Sequence, residues 1–314
     1  MKGNPISPAV LSALVLLVSP VFAQLPKSNT GVSRMVITAL ATHGSAVPSI
    51  PKEDVLVMEG NTRDKVADWQ AAQGDHAGLE LFFLIDDSSS TTLGSQLQDI
   101  RKFILAQPPS TQIGVAYMRN GGAQILQRLT ADHNEAAKAL RLPSGVPGVN
   151  ASPYFSLSDL IKKWPGSINR REVFMITDGI DRYYSGVQQD PYVDAAISDA
   201  QRSGVIVYSV YFPGTGFVDR SYWRTWWGQI YLSQTSDRTG GNAYYIGFNG
   251  APVSLAPYLD DVGQRLDHQY WLAFFPKAQK KASLQPVRVR TEAPNAELVS
   301  ADRAWIPAMP KTSD

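Results

Sequence analysis

Two kinds of apolar pattern divide the chain. Near the start, Met35-Val36-Ile37-Thr38-Ala39-Leu40 and Asp54-Val55-Leu56-Val57-Met58 are short runs; the first gives way to a turn around Gly44 and Pro48, the second to Glu59-Gly60-Asn61. Short runs between turn residues predict antiparallel strands. From Leu79 the apolar runs become continuous and alternate with segments of helical period, as expected of buried parallel strands joined by crossover helices. Strands are expected at Leu79 to Ile85, Ile113 to Met118, Gln124 to Leu129, Glu172 to Thr177, Val205 to Tyr211 and Ala243 to Ile246. Helices are expected at Leu93 to Leu105, Pro153 to Lys163, Tyr192 to Arg202 and Ser254 to Leu266, with an aromatic segment running to Tyr231. The Asn-Gly pair in Arg119-Asn120-Gly121-Gly122 predicts a hairpin, so one sheet edge is antiparallel.

This alternation predicts an α/β fold with a doubly wound, mostly parallel sheet over residues 79–268. After Gln269 the pattern returns to strands, at Tyr270 to Phe275, Pro286 to Thr291 and Glu297 to Ser300, punctuated by prolines. The expected organisation is therefore an N-terminal β flank (24–78), the α/β domain, and a C-terminal β flank and tail (269–314), with the two small flanks pairing into one β module.

Composition changes the picture only in part. A 314-residue chain with 44% hydrophobic and 18% charged residues can bury an ordinary core. Its net charge of +1 gives no general reason to expect nucleic acid or an acidic membrane as partner. Lys2, the apolar run Ala9 to Val18 and Val21-Phe22-Ala23 read as a signal peptide cleaved after Ala23, which predicts a secreted or periplasmic protein. That run is well short of the roughly 20 residues of a spanning helix, and no later stretch is long and apolar enough to span. With no cysteine, thiolate zinc sites, disulfides and a cysteine nucleophile are excluded, and His43, His76, His133 and His268 show no ligand spacing.

Three polar clusters stand at expected strand ends, where open α/β sheets bind ligands. They are Asp86-x-Ser88-x-Ser90, Thr177-Asp178-Gly179, and Ser152 in a Gly- and Pro-rich loop before a helix. Two carboxylates and three hydroxyls form an all-oxygen set suited to a hard cation such as Mg²⁺ or Mn²⁺. Separately, Asp86 and Ser88 could cap the following helix, and Asp178-Gly179 could open an ordinary loop. Asp87 has no assigned role: it adds negative charge near the site or faces solvent.

These residues resemble the von Willebrand factor type A family, whose metal-ion-dependent adhesion site is Asp-x-Ser-x-Ser, a distant Thr, and an Asp after a central strand. Asp86, Ser88, Ser90 and Asp178 match, and Ser152 takes the place of the threonine. Lys52-Glu53-Asp54-Val55, Gln269-Tyr270-Trp271-Leu272, Pro286-Val287-Arg288-Val289-Arg290 and Ala304-Trp305-Ile306-Pro307 extend the resemblance to the bacterial VWFA-related subgroup of acidobacterial type. The resemblance implies a Rossmann-like fold with Mg²⁺, or Mn²⁺ or Ca²⁺, on Ser88, Ser90 and Ser152. It implies that Asp86 and Asp178 act often through water, and that a protein partner completes the site with an Asp or Glu carboxylate.

The expected function is thus an exported adhesion or scaffold module and not an enzyme. The alternatives are a structural scaffold with a vestigial metal loop, or a hydrolase if His133 or His268 approached a serine in space. No Gly-x-Ser-x-Gly elbow, His-Glu-x-x-His or phosphate-binding Gly-rich Lys loop supports the hydrolase. Asp181, Arg182, Tyr183 and Tyr184, with Trp223 from the segment Phe217 to Trp227, are expected to form a ligand-binding rim. The competing reading makes Trp223, Trp226 and Trp227 one buried helical face.

Overall fold

A computed structural model of the chain describes residues 31–184, 189–215 and 221–308. The expected signal peptide, residues 1–23, and residues 217–220 of the expected aromatic loop lie outside them. In chain order the elements are β1 (Ser33–Ala41), β2 (Val55–Glu59), β3 (Thr62–Ala71), β4 (Leu79–Asp86), α1 (Leu97–Ala106), β5 (Thr111–Arg119) and β6 (Gly122–Thr130). They continue with α2 (His133–Lys138), α3 (Pro153–Lys163), β7 (Arg170–Thr177), α4 (Pro191–Ser203), β8 (Val205–Tyr211), α5 (Tyr222–Thr239) and β9 (Ala243–Tyr244). The chain closes with α6 (Ala256–Asp267), β10 (Gln269–Phe275), β11 (Ser283–Thr291), β12 (Ala296–Val299) and β13 (Arg303–Ile306).

The fold is α/β, in two sheets. One has six strands in the order β6-β5-β4-β7-β8-β9, with parallel pairing throughout except for the β5–β6 hairpin. That hairpin turns at Asn120 and Gly121, both at positive φ (52° and 68°), as a two-residue primed turn requires. Every residue of β4 is buried, because β5 and β7 flank it and helices cover both faces. Leu81, Phe83 and Ile85 pack with residues of α1, α2 and α6, while Phe82 and Leu84 pack with α3, α4 and α5. Helices α3, α4 and α5 begin on side-chain caps, Ser152 before Pro153, Asp190 before Pro191 and Ser221 before Tyr222, and α4 and α5 end on Gly204 and Gly240 in the left-handed region.

The two flanks pair into one β module, which is larger than expected: a seven-stranded antiparallel sheet, β12-β1-β10-β3-β2-β11-β13, with its own core around Ile37, Val57, Leu272 and Phe274. Two of its strands are not expected from the sequence. β3 alternates weakly, with Thr62, Arg63 and Lys65 exposed, and is held as a strand by β2 on one side and β10 on the other. β13 is only Arg303–Ile306, pairing β11 at Ser283–Pro286. The aromatic segment is also more than a loop: Tyr222–Thr239 is an 18-residue helix. No helix among the described residues is long and apolar enough to cross a membrane.

Arg170 ties the two sheets together. Its guanidinium donates to Leu266 O at 2.8 Å, Gln269 Oε1 at 2.6 Å and Ala77 O at 2.9 Å, gathering the chain's exit from and return to the β module. Glu172, with no solvent exposure, lies in the same buried region. Burial pushes its carboxyl up to about 7, against the opposing pull of the Arg170 charge.

A raised carboxyl means that the native state holds a proton the unfolded chain has already lost. Stability from this residue is complete below about pH 4.5 and declines as the pH rises through about 7. Glu172→Gln should stabilise the protein by up to about 3 kcal/mol at pH 8, less as the pH falls towards 5, in urea unfolding. An equal effect at both pH values would contradict the assignment. Because β10 lies between β1 and β3, a chain ended at Asp267 should leave residues 33–71 unprotected in hydrogen exchange. Retained protection there would show that the N-terminal strands pair without it.

Candidate functional site

The strand order reverses at β4, with β5 on one side and β7 on the other, so the loops after β4 and β7 share the crevice at their carboxyl ends. Asp86 closes β4, and Thr177 closes the neighbouring β7. Asp86 is buried and fully partnered: Ser88 N–H and Oγ–H donate to Oδ1 at 2.8 and 2.6 Å, and Thr177 Oγ1–H donates to Oδ2 at 2.7 Å. Burial, then the charge of Asp178, pushes the Asp86 carboxyl above its ordinary range, opposed by Arg182 and these hydroxyls.

The other expected ligands are drawn to the same end, each with a local task. Ser90 caps the turn that follows, accepting from Thr92 N–H at 3.3 Å and Thr92 Oγ1–H at 3.0 Å. Ser152 caps α3 through Phe155 N–H at 3.2 Å and donates its own proton to Asp181 Oδ2 at 2.6 Å. Asp181 Oδ1 in turn accepts from Tyr183 and Tyr184 N–H at 2.8 and 2.9 Å. Asp87, unassigned from sequence, is wholly buried; its carboxylate takes Arg141 at 2.7 and 3.1 Å and Ser144 N–H at 2.8 Å. Burial alone would raise its carboxyl, but Arg141 and Ser144 together hold it below the ordinary range.

Asp178 carries the largest departure from expectation. Its Oδ2 accepts from Arg182 Nη2 at 2.6 Å and its Oδ1 from Ile180 N–H at 3.0 Å, with Arg182 Nη1 at 3.3 Å. Arg182, expected on the rim, is instead turned inward: its side chain is 11% exposed against 1% for Asp178. Gly214 leaves the room, since a Cβ there would lie 2.9 Å from Asp178 Oδ2 and 3.2 Å from Arg182 Nη2. Asp86, Ser152 and Arg182 line one small cavity.

The oxygen chemistry of this set suits a hard cation, and Ser88, which gives its proton to Asp86, keeps lone pairs for one. The charge does not fit. The Asp178 carboxylate is already neutralised by a guanidinium at contact distance, and among the described residues no three His, Asp or Glu side chains cluster to hold a metal.

Aromatic side chains surround this end. Tyr183 is 50% and Trp223 is 65% exposed, whereas Tyr184 is half-buried. The three tryptophans do not make one buried face: Trp226 is exposed, and only Trp227 turns inward, stacking on Tyr231 at 5.7 Å. Arg224 at the start of α5 donates to Asp181 O at 2.7 Å, fixing the helix to the loop after β7. Arg141 was not named from sequence, and Thr177 and Asp181 were named only as cluster and rim residues, not as the partners of Asp86 and Ser152. Thr177, beside the motif aspartate at a strand end, was the one with a readable signal.

No family model and no curated protein matches the sequence. Solved structures similar to it include an aerotolerance-related membrane protein from Bacteroides fragilis with multiple mutations to serines. It is 15% identical, with a TM-score of 0.45, covering 60% of this chain and 99% of that one. A von Willebrand factor type A protein from Catenulispora acidiphila is 13% identical, with a TM-score of 0.44, covering 87% and 73%. The ArnB paralog VWA2 from Sulfolobus acidocaldarius is 10% identical, with a TM-score of 0.38, covering 89% and 76%.

The loop carrying Asp178 lies directly on α5, so a Cβ at Gly228 would meet Asp178 O at 2.5 Å. Gly228→Ala should therefore cost about 3 kcal/mol in urea unfolding through overpacking. Gly250→Ala, where a Cβ meets nothing within 4 Å, is the neutral control. Equal stability of the two variants would deny the close approach.

Proposed function

We propose that this chain is a protein-interaction module of the von Willebrand factor type A kind. It docks an acidic group of a protein partner on the carboxyl end of its six-stranded sheet and catalyses no reaction. The observation that carries this is the meeting of half-exposed arginines with exposed aromatics around a buried carboxylate floor. Arg119 and Arg141 keep 44% and 35% of their side chains accessible beside Asp87, and Tyr183, in the loop after β7, and Trp223 and Trp226, at the start of α5 that Arg224 fixes to that loop, stand exposed at the same end of the sheet. Arginine, tyrosine and tryptophan dominate binding hot spots, and Arg119, which reaches Asp87 through one nitrogen only at 3.5 Å, keeps donors for a partner's carboxylate.

A binding role is favoured over hydrolysis by where the histidines lie. His133 Nε2 meets Thr111 O at the amino end of β5, and His268 bonds Gln264 O, so neither faces Ser88. The second reading, with Mg²⁺ (or Mn²⁺ or Ca²⁺) as cofactor on Ser88, Ser90 and Ser152, has the hydroxyl set in its favour and the Arg182–Asp178 pair against it. Export of the mature chain belongs to the same proposal and rests on the leader pattern alone.

A peptide array pairing Asp- and Glu-bearing sequences with their Asn and Gln counterparts tests this. The carboxylate forms should bind, and Tyr183→Ala with Trp223→Ala should weaken them at least about tenfold while the melting temperature holds. Chelator should leave binding unchanged, whereas the metal reading requires its loss. Indifference to the carboxylate-to-amide change would sink the acidic-ligand proposal and favour a structural scaffold.

A further inference from the structure

We infer that Arg182 is the built-in cation of the strand-end site: its guanidinium and a divalent ion exclude each other at Asp178. This rests on the placement of the site given above but not on the identity of any partner.

Two carboxylates, Asp86 at 5% and Asp178 at 1% exposure, stand close enough that the charge of one raises the carboxyl of the other. Two negative charges out of water need a positive one beside them. A divalent ion is one solution, and this chain holds another. Arg182 reaches Asp178 with both terminal nitrogens, at 2.6 and 3.3 Å, and Nη1 also donates to Ile180 O at 3.3 Å. The backbone fixes it there: Arg182 N–H donates to Ala151 O at 2.9 Å, pinning the Asp178 loop to the Ser152 loop. Gly214 leaves space beside the pair that a Cβ would take. Arg182 also lines the small cavity that Asp86 and Ser152 share. An ion entering there meets a fixed positive charge and a carboxylate already neutralised, so both its attraction and its ligand count fall.

The test uses Mn²⁺ alone as probe, titrated by calorimetry into wild-type protein and Arg182→Gln. Arg182→Gln should bind Mn²⁺ at least about tenfold more tightly than wild type, and Mn²⁺ should raise the melting temperature of the variant and leave that of wild type unmoved. Equal behaviour of the two proteins, whether both bind or neither does, overturns the inference. If Arg182→Gln fails to fold, the charge-balanced double variant with Asp178→Asn takes its place. It should fold with melting nearer wild type than Arg182→Gln, because the Arg182–Asp178 pair is removed together and Asp86 keeps the hydrogen bonds of Ser88 and Thr177; a double variant as unstable as Arg182→Gln overturns the inference. No partner enters these measurements, so the acidic-ligand reading can fail while this one stands.

Discussion

The carboxylate of Asp86 sits at the end of a strand buried along its whole length, and the protein has to satisfy it from within. An unpartnered buried carboxylate is costly enough to reshape its neighbourhood. Ser88 and Thr177 supply the hydrogen bonds, so the loop after β4 folds back on itself and the end of β7 is held against β4. Asp178 then follows one residue past Thr177, also out of water, and Arg182 supplies the balancing charge. Asp181 and Ser152 form a second bonded pair at the same end, and Asp181 orders the start of the Tyr183-Tyr184 segment. The side chains that read as a ligand sphere thus each have protein partners of their own.

Asp87 does for the other side of the crevice what Asp86 does for the centre. By holding Arg141 and Ser144 it folds the long segment between α2 and α3 over the end of β5, and Arg141 also lies over the Tyr117 ring at 3.9 Å. The consequence is a face on which negative charge is buried and positive and aromatic groups are presented. That polarity, more than any single ligand, is what the proposed docking of an acidic group rests on.

The β module is bound to this architecture by topology. Its sheet interleaves strands from before and after the α/β domain, so closing it requires that domain to bring Ala71 and Gln269 together. Arg170 and Gln201 bond across the junction, to Gln269 and Asp302 respectively. A module built this way has little freedom to move against the site-bearing sheet.

What the sequence determined by itself is whatever local pattern and burial jointly dictate. Leu79 to Ile85 reads as a buried parallel strand because no solvent-facing position interrupts it, the Asn120-Gly121 turn reads directly from backbone preference, and the motif aspartates stand at strand ends because polar residues must end such runs. Tertiary structure alone decided the rest. β3 is a strand only because β2 and β10 pair both its edges, which residues 62–71 do not encode in their own alternation. Arg182, four residues from Asp178, could have turned to solvent with Tyr183; the space left by Gly214 and the tie to Ala151 turn it inward. Motif spacing shows which oxygens meet, but which cation neutralises them depends on side chains from loops far apart in sequence.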